Sequence, residues 1–152
     1  PNKWKDMVKK IQTGFDTHGP VFINAMSACT TEWKFAPNQT IEVSDLAVDS
    51  LVFPLYEIIG GRELNITYRP KNIIPVRDYL GAQPRFKHLF KPEYEYLIDE
   101  WQKRIDERWV FLQKREEIRI TAAEIELIFK GEAALAYSNF LRNYEAALAA
   151  IK

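Results

Sequence analysis

The chain has 152 residues, which is enough for one domain with a hydrophobic core of its own. Hydrophobic residues make up 47% and charged residues 28%, so a chain that is disordered throughout is excluded. The 21 basic and 21 acidic side chains cancel, and this balance disfavours nucleic acid as a partner. No apolar run reaches the length of a membrane span and the polar start is unlike a signal peptide, so we expect no membrane partner.

The first 26 residues predict a helix followed by a buried strand. Apolar residues recur at intervals of three and four over residues 2–17, as on one face of an amphipathic helix. Gly19 and Pro20 break helices, and we therefore expect the helix to end before them. Residues 21–26 form a short apolar run with the length of a buried strand. A helix, a Gly-Pro break and an apolar strand in this order are typical of an α/β fold.

The segment that follows predicts a loop, two helices and a hairpin. The loop, residues 27–39, contains the only cysteine. Residues 41–52 predict a helix. Its buried side is expected to consist of Ile41, Leu46, Ala47 and Leu51. Residues 55–59 and 63–69 predict two strands, and the Gly60-Gly61 pair between them predicts a hairpin turn, while a short helix is expected to start at Val76.

The pattern changes after residue 91. Pro92 suits the first position of a helix, and residues 92–117 predict one long helix with apolar residues near heptad spacing. A capping-box pattern at residues 121–124 begins a further helical segment that continues to residue 148. We therefore expect an α/β part over residues 1–91 and a helical extension over residues 92–152.

Cys29 is the only cysteine, so the chain has no internal disulfide and no cysteine-rich metal site of its own. A free thiol fits a reducing, cytoplasmic setting. Neither His18 nor His88 has a spacing to Cys29 that predicts a catalytic pair or a metal site. On composition alone, Cys29 is expected to be a buried, inert thiol, because free cysteine is among the most buried residue types.

Three other patterns have ordinary structural interpretations. The Gly60-Gly61 pair lacks the strand and helix context of a phosphate-binding loop and is expected to be a turn. The acidic pairs at 99–100 and 106–107 alternate with lysine and arginine, as on a solvated helix face. A cluster of basic and aromatic residues at 85–91 is expected to contact another subunit.

Residues 18–90 resemble a known family. Residues 18–35 follow a pattern of Gly-Pro, apolar strand, small residue, cysteine and tryptophan. Residues 40–57 then match the next helix and strand of the family, and residues 68–89 match its closing motif, which ends in Arg-Phe-Lys-His-Leu. This succession resembles the later part of the β subunit of the 2-oxoacid:ferredoxin oxidoreductases, the pyruvate synthase family. The tail after residue 91 lies outside the resemblance.

The resemblance implies oxidative decarboxylation of a 2-oxo acid, with electrons passed through [4Fe–4S] clusters to ferredoxin. Family β subunits bind thiamine diphosphate and Mg²⁺ on a Gly-Asp-Gly…Asn motif. This chain contains neither that motif nor the family's other three cluster cysteines. Cys29 matches the last cluster cysteine, and the resemblance implies that it is a [4Fe–4S] ligand in the intact protein. The family's Pro-Cys-Pro is Ala28-Cys29-Thr30 here.

We therefore interpret the chain as the closing part of a thiamine diphosphate-binding α/β domain with a helical extension. Its expected partners are the other subunits of the oxidoreductase, ferredoxin and a 2-oxo acid. The isolated chain is expected to be inactive, because the thiamine motif is not in it. Two alternatives stay open, namely a non-enzymatic interaction module with a helical arm, and a scaffold that is related to the family but has lost its function.

Overall fold

The described part of the chain forms two compact units. A computed structural model describes residues 3–118 and 134–149. The first unit comprises residues 3–55 and 67–106, and the second comprises residues 56–66 together with the described residues after 106. Helices and a small antiparallel sheet are both present, which is compatible with the predicted α/β class. The boundary that we expect at residue 91 rests on sequence character and stays a prediction.

The first unit is built from helices around an apolar core. Its elements are α1 (Trp4–Asp16), α2 (Thr30–Trp33), a 3₁₀ helix (Pro37–Gln39), α3 (Thr40–Asp49), α4 (Val76–Gly81), a second 3₁₀ helix (Pro84–Phe90) and the first part of α5 (Tyr96–Glu117). Helices α3 and α4 pack against each other. The buried apolar side chains are Phe35, Val43, Ala47, Val48, Leu51, Val76, Tyr79, Leu80, Leu89, Ile98 and Ile105. Helix α1 confirms the predicted amphipathic helix, although its apolar residues are largely exposed.

The buried strand that we predict for residues 21–26 is not formed. This segment has no regular secondary structure, and the Phe22 side chain is 90% exposed. A strand requires a neighbour that accepts and donates its backbone hydrogen bonds. The two strands of the described residues pair with each other and not with this segment. The prediction is therefore wrong for this chain, because apolar content alone supplies no partner.

Helix α3 confirms the predicted helix but ends before residue 52. The Phe53 backbone N–H donates to the Ala47 carbonyl at 2.8 Å, and Leu51 adopts a left-handed φ of 59°. Such a backbone costs a residue with a side chain about 1–2 kcal/mol. The Leu51 side chain is fully buried, and burial of a leucine contributes about 1.5–3 kcal/mol, which offsets that cost.

One predicted core residue of α3 is exposed. Ile41 is 55% exposed, whereas Val43 and Ala47, one turn apart, are buried. At 3.6 residues per turn, a residue two positions before Val43 lies on the opposite side of the helix. The buried side of α3 therefore begins at Val43 and excludes Ile41.

Helix α4 begins at Val76 as predicted, and a side chain of α5 completes its first turn. The Val76 backbone N–H donates to Oε1 of Gln102 at 2.7 Å. The first N–H groups of a helix have no partner within the helix, so this bond satisfies one of them. The helix that we expect from Pro92 begins instead at Tyr96. Hydrogen-bonded turns precede it, with the Tyr94 N–H donating to the Lys91 carbonyl at 2.9 Å.

The second unit contains the hairpin that the glycine pair predicts. Strands β1 (Tyr56–Ile59) and β2 (Glu63–Ile66) pair in antiparallel orientation, with Ile58 opposite Leu64. Gly60 and Gly61 have φ values of 57° and 69°. Tight hairpin loops use this left-handed backbone, and glycine adopts it without steric cost.

The C-terminal end of α5 holds this hairpin. The Glu116 carboxylate accepts the Ile66 backbone N–H at 2.7 Å. The Arg115 guanidinium donates to the Arg62 carbonyl at 2.8 Å. Charged groups make the stronger hydrogen bonds of proteins, so these two contacts attach β2 and the turn to the helix.

Helix α6 (Ala134–Ala149) lies within the segment that we predict to be helical after residue 121. The capping box at 121–124 lies outside the described residues. Phe140 and Tyr144, one turn apart on α6, stack with ring centroids 6.0 Å apart. Among the helices of residues 3–118 and 134–149, none combines the length and the apolar content that a membrane crossing requires.

Replacement of Leu80 by alanine tests the core of the first unit. Leu80 is fully buried, so Leu80→Ala is expected to lower the free energy of unfolding by about 2–5 kcal/mol. Leu97→Ala removes the same atoms from an exposed position and should change it by about 0.5 kcal/mol or less. Urea denaturation followed by circular dichroism measures both values. Equal losses in the two variants would contradict the described core.

Candidate functional site

Cys29 lies at the N-terminal end of helix α2, in the N-cap position. Its thiol is exposed, and its Sγ accepts the Glu32 backbone N–H at 3.5 Å. The burial of this thiol that composition alone predicts is therefore wrong. The preceding segment forms no buried strand, so Cys29 does not follow a core strand as the sequence predicts.

Helix α2 is a single turn whose hydrogen bonds begin at Cys29. The Trp33 N–H donates to the Cys29 carbonyl and the Lys34 N–H donates to the Thr30 carbonyl, both at 3.0 Å. Lys34 ends the turn in a left-handed conformation with φ of 63°. Isolated helices shorter than roughly 12 residues are marginal in water, so contacts outside α2 have to maintain this turn.

Trp33 provides those contacts. Its ring meets the buried Phe35 ring edge to face, with centroids 6.1 Å apart. The Arg85 guanidinium lies over the Trp33 ring at 4.3 Å from its centroid. Arginine over an aromatic face is an attractive arrangement that combines stacking with the charge. One end of α2 is thus attached to the 3₁₀ helix Pro84–Phe90.

Arg85 is itself held in place by a residue of the core. Both its Nε and its Nη2 donate to Oε1 of Gln83, at 3.1 and 2.7 Å. Gln83 is only 1% exposed, and its Nε2 donates to the Tyr79 carbonyl at 2.8 Å. The buried amide therefore has partners on both sides, as buried polar groups require. This group of Gln83, Arg85 and Trp33 is named the arginine clamp below.

The sequence patterns do not reveal the arginine clamp. Gln83 and Arg85 are about fifty positions from Trp33 in the chain, and no periodicity connects them. The available signal was the basic and aromatic cluster at 85–91, for which we expect a subunit contact. Within the first unit, part of that cluster faces inward, since Phe86 meets Trp101 edge to face at 5.8 Å.

The remaining members of the cluster differ in their surroundings. Lys87, His88 and Lys91 are exposed. Phe90 lies under the Arg77 guanidinium at 5.3 Å, and Arg77 pairs with Glu95 at 2.6 Å. The exposed basic residues remain available to another subunit, and that contact stays a prediction.

Among the described residues, the thiol that could bind iron as a thiolate is that of Cys29. No group of three or more histidine, cysteine, aspartate or glutamate side chains within residues 3–118 and 134–149 is arranged to hold a metal ion. His18 and His88 are both exposed, and no metal site forms around them there. The acidic residues at 99–100 and 106–107 are exposed, which confirms the solvated face. Because the chain has one cysteine, a cluster bound at Cys29 would need its other thiolate ligands from outside this chain.

Within residues 3–118 and 134–149, Lys3 and Arg108 have shifted pKa values, and neither belongs to the Cys29 loop. Burial lowers the pKa of Lys3, but the Tyr68 hydroxyl and carboxylates that include Asp49 outweigh it, so the pKa is raised above 10.5. The stabilisation from Lys3 is therefore present below that pH and lost as the pH rises further. Burial lowers the pKa of the Arg108 guanidinium below its ordinary value, and Tyr56 acts in the opposite direction. Both groups stay charged at neutral pH.

An open groove of about 440 Å³ follows one side of α3. Its lining consists of Asn38, Ile41, Glu42, Asp45, Leu46 and Asp49. None of these residues is a cysteine that could bind iron, and an acidic lining alone does not define a binding site. Cys29 therefore remains the candidate for cofactor chemistry in this part of the chain.

Comparison with curated proteins confirms the resemblance to β subunits of the 2-oxoacid:ferredoxin oxidoreductases. Pyruvate synthase subunit PorB of Methanocaldococcus jannaschii is 42% identical over 104 residues, 68% of this chain and 33% of the relative. The PorB subunit of Thermotoga maritima is 34% identical over 114 residues, 74% of this chain and 35% of the relative. Ketoisovalerate oxidoreductase subunit VorB of Pyrococcus abyssi is 33% identical over 115 residues, 75% of this chain and 36% of the relative.

These relatives are longer than the present chain. The chain spans about a third of the length of each of the three. No family model matches the chain. The similarity to PorB and VorB subunits is therefore the finding on which the family relationship rests.

The exposure of Cys29 is tested by alkylation of the folded chain. Because the thiol is exposed, N-ethylmaleimide is expected to react with it at nearly the rate measured in the unfolded chain. Mass spectrometry of samples quenched over time gives both rates, and Cys29→Ser is the control for reaction elsewhere. A folded chain that resists alkylation until denaturant is added would show that the thiol is buried.

Proposed function

We propose that the chain is part of the β subunit of a 2-oxoacid:ferredoxin oxidoreductase. The similarity to PorB and VorB subunits carries this proposal, because it covers 68–75% of the chain in three relatives. In the complete enzyme, the bond between the carbonyl carbon and the carboxylate of a 2-oxo acid breaks. Carbon dioxide leaves, two electrons pass one at a time to ferredoxin, and the acyl group that remains bonds to a nucleophilic acceptor, which releases a proton. Thiamine diphosphate with Mg²⁺ serves this chemistry, on a motif that the present chain does not contain.

Cys29 is the residue of this chain that we assign to a cofactor, as one ligand of a [4Fe–4S] cluster. Its exposed thiol is accessible to iron and to ligands from other segments of the enzyme. The Glu32 N–H that donates to its Sγ is the kind of hydrogen bond that tunes the potential of iron–sulfur clusters. A cluster bound there would accept and release single electrons. Since the chain has one cysteine, the other three thiolates have to come from elsewhere.

The partners and setting follow from this assignment. The rest of the oxidoreductase, ferredoxin and a 2-oxo acid are the expected partners. A reducing, cytoplasmic setting keeps the ligand cysteines out of disulfides, so that they can lose a proton and bind iron as thiolates. The exposed basic residues Lys87, His88 and Lys91 are candidates for the contact with another subunit.

Replacement of Cys29 in the native assembly tests the ligand role. Cys29→Ala is expected to remove one cluster, which means a loss of about four iron and four sulfide ions per copy of the chain. Iron and acid-labile sulfide are measured on the anaerobically purified assembly, together with the visible absorbance of iron–sulfur bonds. Ser27→Ala, an exposed neighbour in the same loop, is the matched control and should retain both.

Two outcomes would contradict the proposal. If the Cys29→Ala assembly retains its full iron content and its visible absorbance, Cys29 is not a ligand of the cluster. Native material without iron, sulfide or other subunits would remove the oxidoreductase function as well. That second outcome would favour the non-enzymatic interaction module with a helical arm.

The isolated chain is expected to turn over no 2-oxo acid. The thiamine motif is not in its sequence, and one cysteine cannot hold a cluster. The measurement is 2-oxo-acid-dependent reduction of a viologen dye by the purified chain, with pyruvate and ketoisovalerate as substrates. The native assembly is the positive control, and turnover by the chain alone would overturn this expectation.

A further inference from the structure

We propose that Arg85 is a positioning residue for Cys29, which acts through Trp33 and helix α2. This inference rests on the proposed function, since it concerns how the assigned cluster ligand is held. Arg85 lies over the Trp33 ring at 4.3 Å, and the Trp33 N–H closes the turn that begins at the Cys29 carbonyl. Movement of Trp33 therefore moves the backbone that carries the thiol.

The first step of the argument is that Arg85 has a fixed place. Its fork donates twice to one oxygen of Gln83, which is buried and also bonded to the Tyr79 carbonyl. Its guanidinium also lies 4.4 Å from the centroid of the Phe86 ring. An arginine with two donors engaged and two aromatic contacts loses most of its rotamer freedom in the folded chain.

The second step is that α2 depends on this fixed group. Helix α2 has four residues, and its backbone bonds alone do not maintain so short a helix. Trp33 stands at its end, between Arg85 on the ring face and Phe35 in an edge contact. The Glu32 N–H that reaches the Cys29 Sγ belongs to the same turn. Loss of the Arg85 contact is expected to loosen the turn and this N–H···S bond together.

The third step is the charge of Arg85. Its hydrogen-bond partner Gln83 is neutral, and none of the ion pairs within residues 3–118 includes Arg85. The positive charge is therefore not cancelled by a carboxylate in this part of the chain. A positive charge near a cluster of thiolates favours its reduced form, because reduction adds negative charge.

The experiment compares Arg85→Met and Arg85→Lys in the native assembly, with Arg104→Met, at an exposed arginine on the solvated face of α5, as the control. Hydrogen exchange is measured at the Trp33 and Lys34 amides, which close α2. The EPR spectrum and the reduction potential of the reduced cluster are measured in parallel. In the Arg85→Met variant, both amides are expected to exchange about 2- to 30-fold faster than in the wild type. This range corresponds to the energy of a cation–π contact. The EPR spectrum of this variant should change and its potential should become more negative.

Arg85→Lys separates geometry from charge and also decides the case if Arg85→Met does not fold. Lysine keeps the charge but lacks the planar fork, so exchange should accelerate while the potential changes less. Wild-type exchange rates at both amides in the Arg85→Lys variant would overturn the positioning role. Exchange and EPR values of Arg85→Met equal to those of Arg104→Met would overturn it as well.

Failure of the proposed function gives a different result. In that case Cys29→Ala leaves the cluster signals unchanged, whatever the Arg85 variants do. The hydrogen-exchange measurement still decides whether Arg85 holds α2, because this measurement does not depend on a cluster.

Discussion

The buried side-chain amide of Gln83, whose nitrogen and oxygen both have hydrogen-bond partners, is the constraint around which the Cys29 region is organised. Gln83 is almost completely removed from water, and an unpaired amide in that position would cost several kilocalories per mole. Its two hydrogen-bonding sides are matched by the Tyr79 carbonyl and the Arg85 guanidinium. This requirement fixes the arginine, and the arginine in turn supports Trp33 and the turn before it.

The surroundings of Cys29 suit a ligand for a shared cofactor better than a nucleophile. A nucleophilic cysteine needs an adjacent base, and neither histidine of this chain is described in contact with the thiol. A cluster ligand needs access, a fixed backbone and N–H donors to its sulfur. The Cys29 thiol is exposed and its Sγ accepts the Glu32 N–H, and we propose that the arginine clamp holds its backbone.

Local signals predicted the elements that local interactions determine. The Gly60-Gly61 pair predicts its hairpin because the turn needs two left-handed residues in sequence, and α3 and α4 follow from apolar periodicity. The strand at 21–26 failed because pairing is a long-range property that the run itself does not contain. The resemblance indicates Cys29 as a cluster ligand, which stays a prediction, whereas composition alone gave the wrong burial for it. The arginine clamp could not be predicted, since it joins residues about fifty positions apart.

An exposed thiol that is also the only one in its chain can form a disulfide only with a second molecule. In aerated buffer, two copies joined at Cys29 would migrate as a covalent pair and separate again when a reductant is added. The disulfide would occupy the same sulfur atom that is assigned to iron. A molecular mass determined without reductant would then describe the oxidation state of that atom rather than the natural arrangement of subunits.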